Sequence, residues 1–560
     1  MRGGKTASHL KEDSCELSRL GLAVARLPFL LYLILALAAV LIVADGRDFP
    51  HKRGTLLPNW VLLATGLVLV LVLMFVVVRR VSAKGIHLEM SKADRVVALV
   101  TLVLAVVQLV LVRSYVFPTD WDSGGVKWSA WGLAHREGFD VRYYSTYPNN
   151  LLLLRLAQLC MRIAVHFGAE QPIEGVWLFC ILNVISCAVA LWCVYWTLSR
   201  VVSVGCGLTG WTLSILLLWT SPWVAVMYSD AFLLGLTPLA IALLVLARRS
   251  QGVRRYVCLG CFGLLTWWGY CIKPQSIFML FAFFAMGALA ILGALRRGGA
   301  ARGACLRKTA FDGLCVVVGV TLALLSAKVA TRGLRVCLND EAQFSAAHFL
   351  MMGLNPEKRG VYCQDDVNFS RYFETRSERN AADMRRAAKR VQEMGPAGLA
   401  DLFLDKTLIN YDDGTFAWVK EGTKFFGGGP AFPGPLTALA QSIYYNTGAF
   451  FKVFLTYEQL VWLVVLVFCL PALMSGLFKR REAREETSES TGVARQSDVD
   501  YLVSYIALVL IMLSCFQLLF EARARYLYAF SPYYVVLAAM GMHLLAKRIF
   551  PNRKPPLAQK

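Results

Sequence analysis

The chain has 560 residues, of which 57% are hydrophobic and only 17% are charged, and its formal net charge is +21. Charged residues make up roughly 25% of typical soluble domains, and here the apolar residues form long blocks, which excludes an ordinary soluble multidomain protein. The blocks are also too long and too uniformly apolar for barrel strands. We therefore predict an all-α polytopic membrane protein, with membrane lipid as its surroundings.

The apolar blocks have about the length that a helix needs to cross a bilayer. We predict about twelve spans, near residues 27–44, 60–78, 96–114, 175–198, 205–227, 231–247, 256–272, 276–294, 310–330, 458–477, 501–520 and 527–546. Basic loops follow the even-numbered spans, as Arg248 and Arg249 follow the sixth and Lys479 and Arg480 the tenth. The positive-inside rule then places these loops and both termini in the cytoplasm. This distribution accounts for the basic balance, and no nucleic-acid partner is expected.

One apolar stretch, residues 149–167, breaks this count if it crosses the membrane. Its sequence, NNLLLLRLAQLCMRIAVHF, is interrupted by Arg155 and Arg162. If it crossed, every later basic loop would lie outside, against the charge bias. We therefore predict an amphipathic helix that lies in the outer interface.

The predicted spans divide the chain into four parts. They are a cytoplasmic tail with two accessory helices (1–95), a central transmembrane module (96–330) with a first outward loop (114–175), an extracytoplasmic loop domain (331–457), and C-terminal transmembrane helices with a cytoplasmic tail (458–560). In the loop domain we expect a helix near residues 380–404, and the segments HFLMMGLNP and DDGTFAW look fixed rather than random. Cys337 and Cys363 could form a disulfide if this domain faces an oxidising compartment.

The first outward loop carries two carboxylates, Asp120 and Asp122, on either side of Trp121, where the chain leaves the third span. Polar and aromatic residues then stand at the head of the amphipathic helix, namely Tyr147, Asn149 and Asn150. One interpretation is that the acids are solvated and merely mark a helix end. The aromatic-rich surroundings and a Gly-Gly turn favour a functional site instead.

Three short outward turns carry further charge. Asp230 lies between the fifth and sixth spans, where an acid is costly and often functional, although a turn-forming aspartate is the alternative. Lys273 lies between the seventh and eighth spans, where snorkelling is the alternative. Arg523 and Arg525, followed by Tyr526, break the positive-inside pattern between the eleventh and twelfth spans. Because arginine can bind two phosphate oxygens, this pair is a candidate lipid-phosphate site.

These carboxylates and cations share the outer interface by topology alone. A carboxylate can accept a proton from a hydroxyl nucleophile. It can also hold a divalent metal, and Asp122 and Asp230 are candidate ligands for Mg²⁺ or Mn²⁺. Cations stabilise a departing phosphate. The set therefore suits glycosyl transfer from a lipid phosphate carrier to a hydroxyl acceptor.

The order of these motifs resembles the GT-C class of membrane glycosyltransferases, and within it the branch of protein O-mannosyltransferases and lipid A aminoarabinose transferases. In that family an acidic motif after the first core span precedes a Pro-containing motif on an interfacial helix, as in WDSGGVKWSAWGLAH and YYSTYPNNLLLLRL. A second acid follows a Ser-Pro, as in TSPWVAVMYSDAFLLG, and a late Arg-Tyr motif precedes the last core span, as in RARYLYAFSPYYVVLAA. The resemblance covers about residues 96–294 and 500–546.

The resemblance implies a GT-C-like helical core with an extracytoplasmic active site in the cell membrane. Asp122 would be the catalytic base, Asp120 its neighbour, and Asp230 a support for the site or for a metal. The substrate-binding residues, with the two arginines on the lipid phosphate, would be Arg523, Arg525, Lys273, Tyr526, Tyr147, Asn149 and Asn150. The chain departs from the family in two extra spans before the core and in Tyr-Pro-Asn-Asn where a Pro-Pro pair is usual, so the acceptor class stays open.

We therefore expect an inverting glycosyltransferase of the cell envelope, with a polyprenyl-phosphate-linked sugar as donor and a hydroxyl of a protein, a glycan or a lipid as acceptor. The alternatives are a transporter or flippase for a lipid-linked sugar and an assembly protein for cell-surface glycans. A transporter would need ionisable residues near the bilayer centre. Here the distinctive charges are predicted at the outer interface.

Overall fold

A computed structural model describes residues 17–84, 89–296, 299–334, 337–421, 431–477 and 490–550. Within these ranges the fold consists of helices and connecting turns, and no β-strand occurs there. The prediction of an all-α polytopic protein is confirmed. The tail before residue 17, the basic loop with Lys479 and Arg480, and the tail after residue 550 lie outside the described residues.

The helices up to residue 332 include most of the predicted spans. They are α1 (Arg19–Ala38), α2 (Asn59–Lys84), α3 (Met90–Tyr115), α4 (Trp121–Ala134), α5 (Val141–Thr146), α6 (Leu151–His166), α7 (Pro172–Val201), α8 (Val204–Ser214), α9 (Ser229–Phe232), α10 (Leu236–Arg249), α11 (Gly252–Ile272), α12 (Ile277–Leu295) and α13 (Gly299–Arg332). Single π-helical turns extend α1 over Ala39–Val43 and α8 over Ile215–Trp219.

The helices after residue 332 comprise the loop domain and the last spans. They are α14 (Ala346–Gly353), α15 (Gln364–Arg371), α16 (Arg376–Tyr411), α17 (Trp418–Glu421), α18 (Thr437–Tyr444), α19 (Phe451–Met474), α20 (Ser490–Leu519), α21 (Arg525–Tyr528) and α22 (Ser531–Ile549). The helix expected near 380–404 is the middle of α16. That helix kinks at Gly395, whose φ is 61°, because Pro396 cannot continue the hydrogen-bond ladder.

Nine stretches of the described chain are long and apolar enough to cross a membrane, and they match nine of the twelve predicted spans. The seventh and twelfth predicted spans are α11 and α22, which carry basic residues at one end. The fifth prediction, residues 205–227, is wrong at its end. The apolar helix covers only Val204–Trp219, and a 3-10 turn over Pro222–Ala225 follows, since the proline starts a new turn rather than extending the helix.

The spans differ in how much of their surface the protein covers. Only 17% of the apolar window of α2 and 22% of that of α3 is buried, against 72% for Ser229–Arg249. Helices α2 and α3 therefore present apolar side chains to lipid, whereas the stretch Ser229–Arg249 lies in the centre of the protein. Small residues bring α11 and α13 together: a Cβ on Gly319 would lie 2.0 Å from the Gly260 carbonyl oxygen, the close approach typical of helix pairs in membranes.

Ion pairs join the ends of helices that are far apart in the chain. Arg26 of α1 is fully buried and donates to the Asp500 carboxylate of α20 at 2.9 Å. Arg248 and Arg249, at the end of α10, pair with Asp498 at 3.1 and 2.8 Å. The helix ends that the charge pattern assigns to one side of the membrane therefore lie together. That this side is the cytoplasm stays a prediction.

The stretch predicted to lie in the interface is the 16-residue helix α6. It packs against α4 and α7. Leu153 and Leu154 are buried on one face, whereas Arg162 is exposed, as the amphipathic pattern predicts. In the loop domain, Cys337 is exposed, Cys363 is buried, and both are free thiols, so the described structure does not contain the disulfide considered above.

Candidate active site

Asp122 lies in the first turn of α4 and is half-buried. The helix begins at Trp121 with a φ of 45°, in the left-handed region. Such a conformation costs a residue other than glycine about 1–3 kcal/mol and occurs preferentially at functional sites. The carboxylate of Asp122 is favoured at this position because the amino end of a helix carries positive potential.

Two tyrosine hydroxyls hold the Asp122 carboxylate. Tyr143 donates to Oδ1 at 3.0 Å and Tyr228 to Oδ2 at 3.3 Å. Burial raises the pKa of both tyrosines, and the charge of Asp122 raises it further, so both hydroxyls stay protonated as donors. Asn150 Nδ2 in turn donates to the Tyr143 oxygen at 2.8 Å. The carboxylate is thus oriented from two sides by neutral groups.

The other residues predicted near Asp122 take different places. Asn149 donates to Asn150 Oδ1 at 3.3 Å, and the ring of Tyr147 packs 5.3 Å from that of Tyr143. These residues therefore form a layer behind Tyr143 and act on Asp122 through it. Asp120 is exposed at the N-cap position of α4 and makes no capping hydrogen bond.

Asp230, Lys273 and Arg525 form a buried ionic cluster. The Lys273 ammonium pairs with Asp230 Oδ1, and Arg525 Nε lies 3.5 Å from Oδ2. Lys273 also lies 4.8 Å from the centre of the Tyr526 ring. The side chains of the three charged residues are at most 5% exposed. Charges this deeply buried are stable only when paired, so removal of one partner would leave the others uncompensated.

Two glutamates bind the arginine pair. Glu421 of α17 lies 2.9 Å from Arg525 Nη1 and 3.2 Å from Arg523 Nη1. Glu521 pairs with Arg523 Nε at 2.6 Å and accepts from the Tyr526 hydroxyl at 3.0 Å. Glu421 was not predicted as a site residue. It is one acid among many in the loop domain, and no motif in the sequence marks it.

Aromatic rings surround Arg525 and connect it to Asp122. Its guanidinium carbon lies 4.2 Å from the Trp121 ring, 5.3 Å from that of Tyr228 and 5.9 Å from that of Trp223, within the range of cation–π attraction. Trp121 and Tyr228 meet edge to face at 5.0 Å. Tyr228 also donates to Asp122, so this one residue contacts both the carboxylate and the arginine, and Trp121 precedes Asp122 in the chain.

The buried guanidinium of Arg525 retains hydrogen-bonding capacity. Its Nε and Nη1 atoms make no aligned hydrogen bond to any described group, although two carboxylates lie nearby. A buried donor without an aligned acceptor is costly, and a phosphate oxygen is an acceptor that a guanidinium binds well. The assignment of Arg525 as a phosphate ligand stays a prediction, and the buried guanidinium is compatible with it.

The bond between Tyr228 and Asp122 also bears on topology. Asp122 follows α3, and Tyr228 follows α7 and α8. For the two residues to meet, an even number of crossings must separate them. The helices α7 and α8 supply two, so the contact agrees with an interfacial position for α6.

The loop domain positions the turn that carries the arginines. Lys406 of α16 is fully buried, and its Nζ donates to the carbonyl oxygens of Gly353 and Phe520 at 2.7 and 2.6 Å. Ala522 N donates to the Gly360 carbonyl at 2.9 Å. Burial lowers the pKa of Lys406 to about 7. The segment HFLMMGLNP, which ends α14, is thus bound to the turn that precedes Arg523.

Comparison with known proteins identifies the family. The family described as "conserved hypothetical integral membrane protein" matches residues 22–483. The chain belongs to this family. The comparison with curated proteins gives no match.

Two solved structures are similar to the chain, and both are oligosaccharyltransferases of Archaeoglobus fulgidus. One is AglB in complex with an inhibitory peptide and a dolichol-phosphate, with 12% identity, a TM-score of 0.34, and coverage of 81% of this chain and 52% of that one. The other, in complex with Zn and sulfate, has 12% identity, a TM-score of 0.23, and coverage of 78% and 53%. The chain thus spans about half the length of these proteins. Because both TM-scores are low, we infer nothing about the site from them.

The predicted metal ligands, Asp122 and Asp230, do not form a common site with other donors. No group of three or more His, Cys, Asp or Glu side chains in the described ranges is arranged to hold a metal ion. Asp230 faces Lys273 and Arg525, so a divalent cation there would meet two positive charges. The surroundings of Asp230 therefore do not fit a metal, and the metal prediction at Asp122 is untested.

Proposed function

We propose that this protein is an inverting GT-C-type glycosyltransferase that moves a sugar from a polyprenyl-phosphate-linked donor to a hydroxyl acceptor, outside the cytoplasm. One observation carries the proposal: Tyr228 donates to the Asp122 carboxylate and its ring lies 5.3 Å from the Arg525 guanidinium, while Trp121, the residue before Asp122, lies 4.2 Å from the same guanidinium. A base and a phosphate-binding cation are thus held side by side, at the same end of the helices. This is the pair of groups that displacement of a sugar phosphate by a hydroxyl requires.

Asp122 acts as the general base of the reaction. The acceptor hydroxyl oxygen attacks the anomeric carbon of the sugar and forms the new glycosidic bond, while its proton passes to a carboxylate oxygen of Asp122. The bond from the anomeric carbon to the phosphate oxygen breaks, and its electron pair leaves with the polyprenyl phosphate. A single displacement of this kind inverts the anomeric configuration. Tyr143 and Tyr228 hold the carboxylate in place throughout.

The cations stabilise the leaving group. Negative charge grows on the phosphate as the bond breaks, and preorganised donors in a water-poor site stabilise it strongly. Arg525 supplies buried N–H groups that lack an aligned acceptor in the described structure, and Arg523 lies beside it on the same turn. Glu421 contacts both arginines. The phosphate and this carboxylate therefore compete for the same nitrogens, and Glu421 must share or release them when the donor binds.

The positions of the buried charged side chains give less support to the transporter alternative than to the enzyme. In the spans that the structure describes, the buried charged side chains are Arg26, Asp230 and Glu458. Each lies within about the first third of its helix. A transporter that moves a charged substrate needs ionisable groups near the bilayer midplane, whereas Arg26 lies toward the predicted cytoplasmic end of its span and Asp230 and Glu458 lie toward the predicted outer ends of theirs.

The test begins with cells that lack the protein. They should accumulate a polyprenyl-phosphate sugar, which lipid mass spectrometry would identify as the donor. Purified wild-type protein should transfer radiolabel from this lipid, and Asp122→Asn should lower the rate by about 10²–10⁴-fold, the contribution typical of a general base. Membrane insertion should be unchanged.

Asp120→Asn is the matched control, because it removes the same charge from the exposed neighbouring aspartate. It should retain most of the transfer activity. If Asp122→Asn transfers at the normal rate, Asp122 is not the base. If the deletion strain neither accumulates a lipid-linked sugar nor loses a surface sugar, the glycosyltransferase function itself is wrong.

A further inference from the structure

A second concave region lies in the loop domain, between α15, the first half of α16 and the turn that begins at Asn355. We name it the loop cleft. Its volume is about 630 Å³, and ligand sites usually measure about 300–1,000 Å³. None of its lining residues belongs to the cluster around Asp122 and Arg525, so the loop cleft is a separate feature of the surface.

The floor of the loop cleft is polar and rigid. Asp366 is buried and accepts hydrogen bonds from Asn355 Nδ2 at 2.8 Å and from two nitrogens of Arg390 at 2.7 and 3.0 Å. Arg390 also donates to the Met351 carbonyl at 2.6 Å. A buried pair satisfied in this way keeps its geometry, so the floor forms a rigid base beneath the exposed polar side chains of the cleft.

The walls combine aromatic rings with charged side chains. Phe369 and Phe373 lie 5.4 Å apart in an edge-to-face pair, and the Arg386 guanidinium covers Phe369 at 4.3 Å. The basic lining residues are Arg385, Arg386, Lys389 and Arg390. The acidic ones are Glu357, Asp365, Asp366 and Glu393. Four charges of each sign cancel, so the cleft does not select a polyanion.

The loop cleft begins next to the candidate active site. Cys363 lines the cleft, and the ring of the preceding residue, Tyr362, lies 5.9 Å from the Arg523 guanidinium. The Gly360 carbonyl accepts from Ala522 N in the turn before the arginines. A ligand that occupies the cleft and also reaches the arginine pair and Asp122 must therefore be elongated and must pass Tyr362.

We propose that the loop cleft binds an uncharged segment of a glycan, and that this glycan is the acceptor whose terminal hydroxyl reaches Asp122. The inference rests on the proposed function. A sugar ring has an apolar face, which packs on an aromatic ring such as Phe373, and a rim of hydroxyls, which bond to exposed planar polar side chains such as Glu357, Asp365 and Arg385. Aromatic rings beside charged side chains of both signs offer both kinds of contact.

A peptide acceptor fits the loop cleft less well. Extended peptides usually add to a free strand edge, and helical peptides bind apolar grooves. The described ranges contain no strand, and charged side chains form more than half of the cleft lining. The chemistry of the walls and floor therefore favours a carbohydrate over a polypeptide.

The test uses the full-length protein in detergent on an array of oligosaccharides that includes neutral and acidic cell-surface glycans and serine- or threonine-containing peptides. Wild type should bind neutral glycans. Phe373→Ala and Arg385→Ala should each weaken this binding about tenfold or more, the effect of losing a central contact. Arg376→Ala, an exposed arginine of α16 outside the cleft lining, is the matched control and should bind as wild type does. Thermal unfolding of each variant checks that it is folded.

The outcomes separate this inference from the proposed function. Glycan binding that persists in Asp122→Asn, while transfer is lost, supports both. Absence of glycan binding, binding that the cleft variants leave unchanged, or cleft-dependent binding of peptides alone would overturn the glycan inference even if transfer to a small acceptor occurs. If the wild type binds glycans normally but transfers no sugar, the cleft is a glycan-binding site and the proposed glycosyltransferase function is wrong.

Discussion

Asp122 and Asp230 lie at the same end of the helices, but the groups around the two carboxylates differ. Asp122 is half-buried and accepts from two neutral hydroxyls, those of Tyr143 and Tyr228. Asp230 is only 2% exposed and faces two cations, Lys273 and Arg525. Sequence reasoning treated both as candidate catalytic residues and candidate metal ligands, because both are acids at predicted outer helix ends and both match acidic motifs of the family that the chain resembles.

The difference assigns separate roles to the two acids. A carboxylate that accepts a proton from a substrate must be accessible to that substrate, and its charge must not be neutralised by neighbouring cations. Asp122 meets both conditions. A carboxylate neutralised by a lysine and an arginine is better suited to fix those cations in a low-dielectric site. We therefore propose that Asp230 is a positioning residue, which holds Lys273 and Arg525 near the leaving phosphate of the proposed reaction.

The largest effect is expected from Asp230→Asn, and it should appear in stability. Removal of one partner from a buried ion pair typically costs about 3–5 kcal/mol, because the remaining charge is uncompensated. Asp122→Asn removes a half-exposed charge that has no ionic partner among the described residues, so it should change the free energy of unfolding far less. Thermal unfolding of the two variants in detergent measures this difference.

The double variant Asp230→Asn with Lys273→Met sharpens the same comparison. It removes one charge of each sign and should recover part of the stability that either single change loses, since the two effects are coupled. If Asp230→Asn and Asp122→Asn unfold at the same temperature, or if the double change is as harmful as the sum of the single ones, the ionic cluster does not have the role assigned to it.

A second comparison concerns the buried lysines. Lys273 has a carboxylate partner, whereas the Lys406 ammonium donates to two backbone carbonyls, and burial lowers the pKa of Lys406 to about 7. An unfolded lysine titrates near 10.4, so between about pH 7 and that value the unfolded state binds more protons than the folded one. Stability should therefore rise with pH in this window, by at most about 1.4 kcal/mol per pH unit.

Unfolding of the wild type and of Lys406→Met at pH 7 and pH 8.5 measures this slope. The wild type should gain up to about 2 kcal/mol relative to the variant over this interval. Lys358→Met, which changes an exposed lysine of the same domain, serves as the control and should show the slope of the wild type. Identical slopes in wild type and Lys406→Met would mean that Lys406 keeps its proton across the window.

Much of the fold could be predicted because hydropathy and loop charge are properties of short segments. The apolar blocks identified the spans, and the basic loops removed α6 from the spanning set. The end of the fifth span was missed because residues 220–227 are as apolar as the helix before them. Only the turn around Pro222 shows that the helix has ended.

The candidate site was predicted less completely, because its contacts join residues that are far apart in the chain. Sidedness placed Asp122, Asp230, Lys273 and Arg525 at one interface, but nothing local shows which acid pairs with which cation. The pairing of Asp230 with Lys273 spans 43 residues, and that of Arg525 with Glu421 joins two predicted parts of the protein. Such pairings follow only from the tertiary structure.

A smaller effect is expected from Arg525→Lys, which retains the charge but loses the planar fork. Lysine cannot bind two phosphate oxygens side by side or stack on Trp121 as a guanidinium does. The KM for the lipid-linked donor should rise by about tenfold, in line with roughly 1–2 kcal/mol of lost contacts, while the stability cost stays well below that of Asp230→Asn. A KM for the acceptor that rises instead of the KM for the donor would move Arg525 away from the phosphate.

The smallest effect is expected from Tyr143→Phe, which removes one hydroxyl from Asp122 without changing any charge. A hydrogen bond to a charged group contributes about 1.5–3 kcal/mol, but Tyr228 still holds the other oxygen, so kcat should fall only about tenfold. The KM for the donor should stay unchanged, because the Tyr143 hydroxyl donates to Asp122 and its ring packs on Tyr144 and Tyr147. Tyr147→Phe, in the layer behind Tyr143, is the control and should have less effect. If Tyr143→Phe lowers kcat as much as Asp122→Asn does, the tyrosine itself exchanges the proton with the substrate. The role of base would then belong to Tyr143 and not to Asp122.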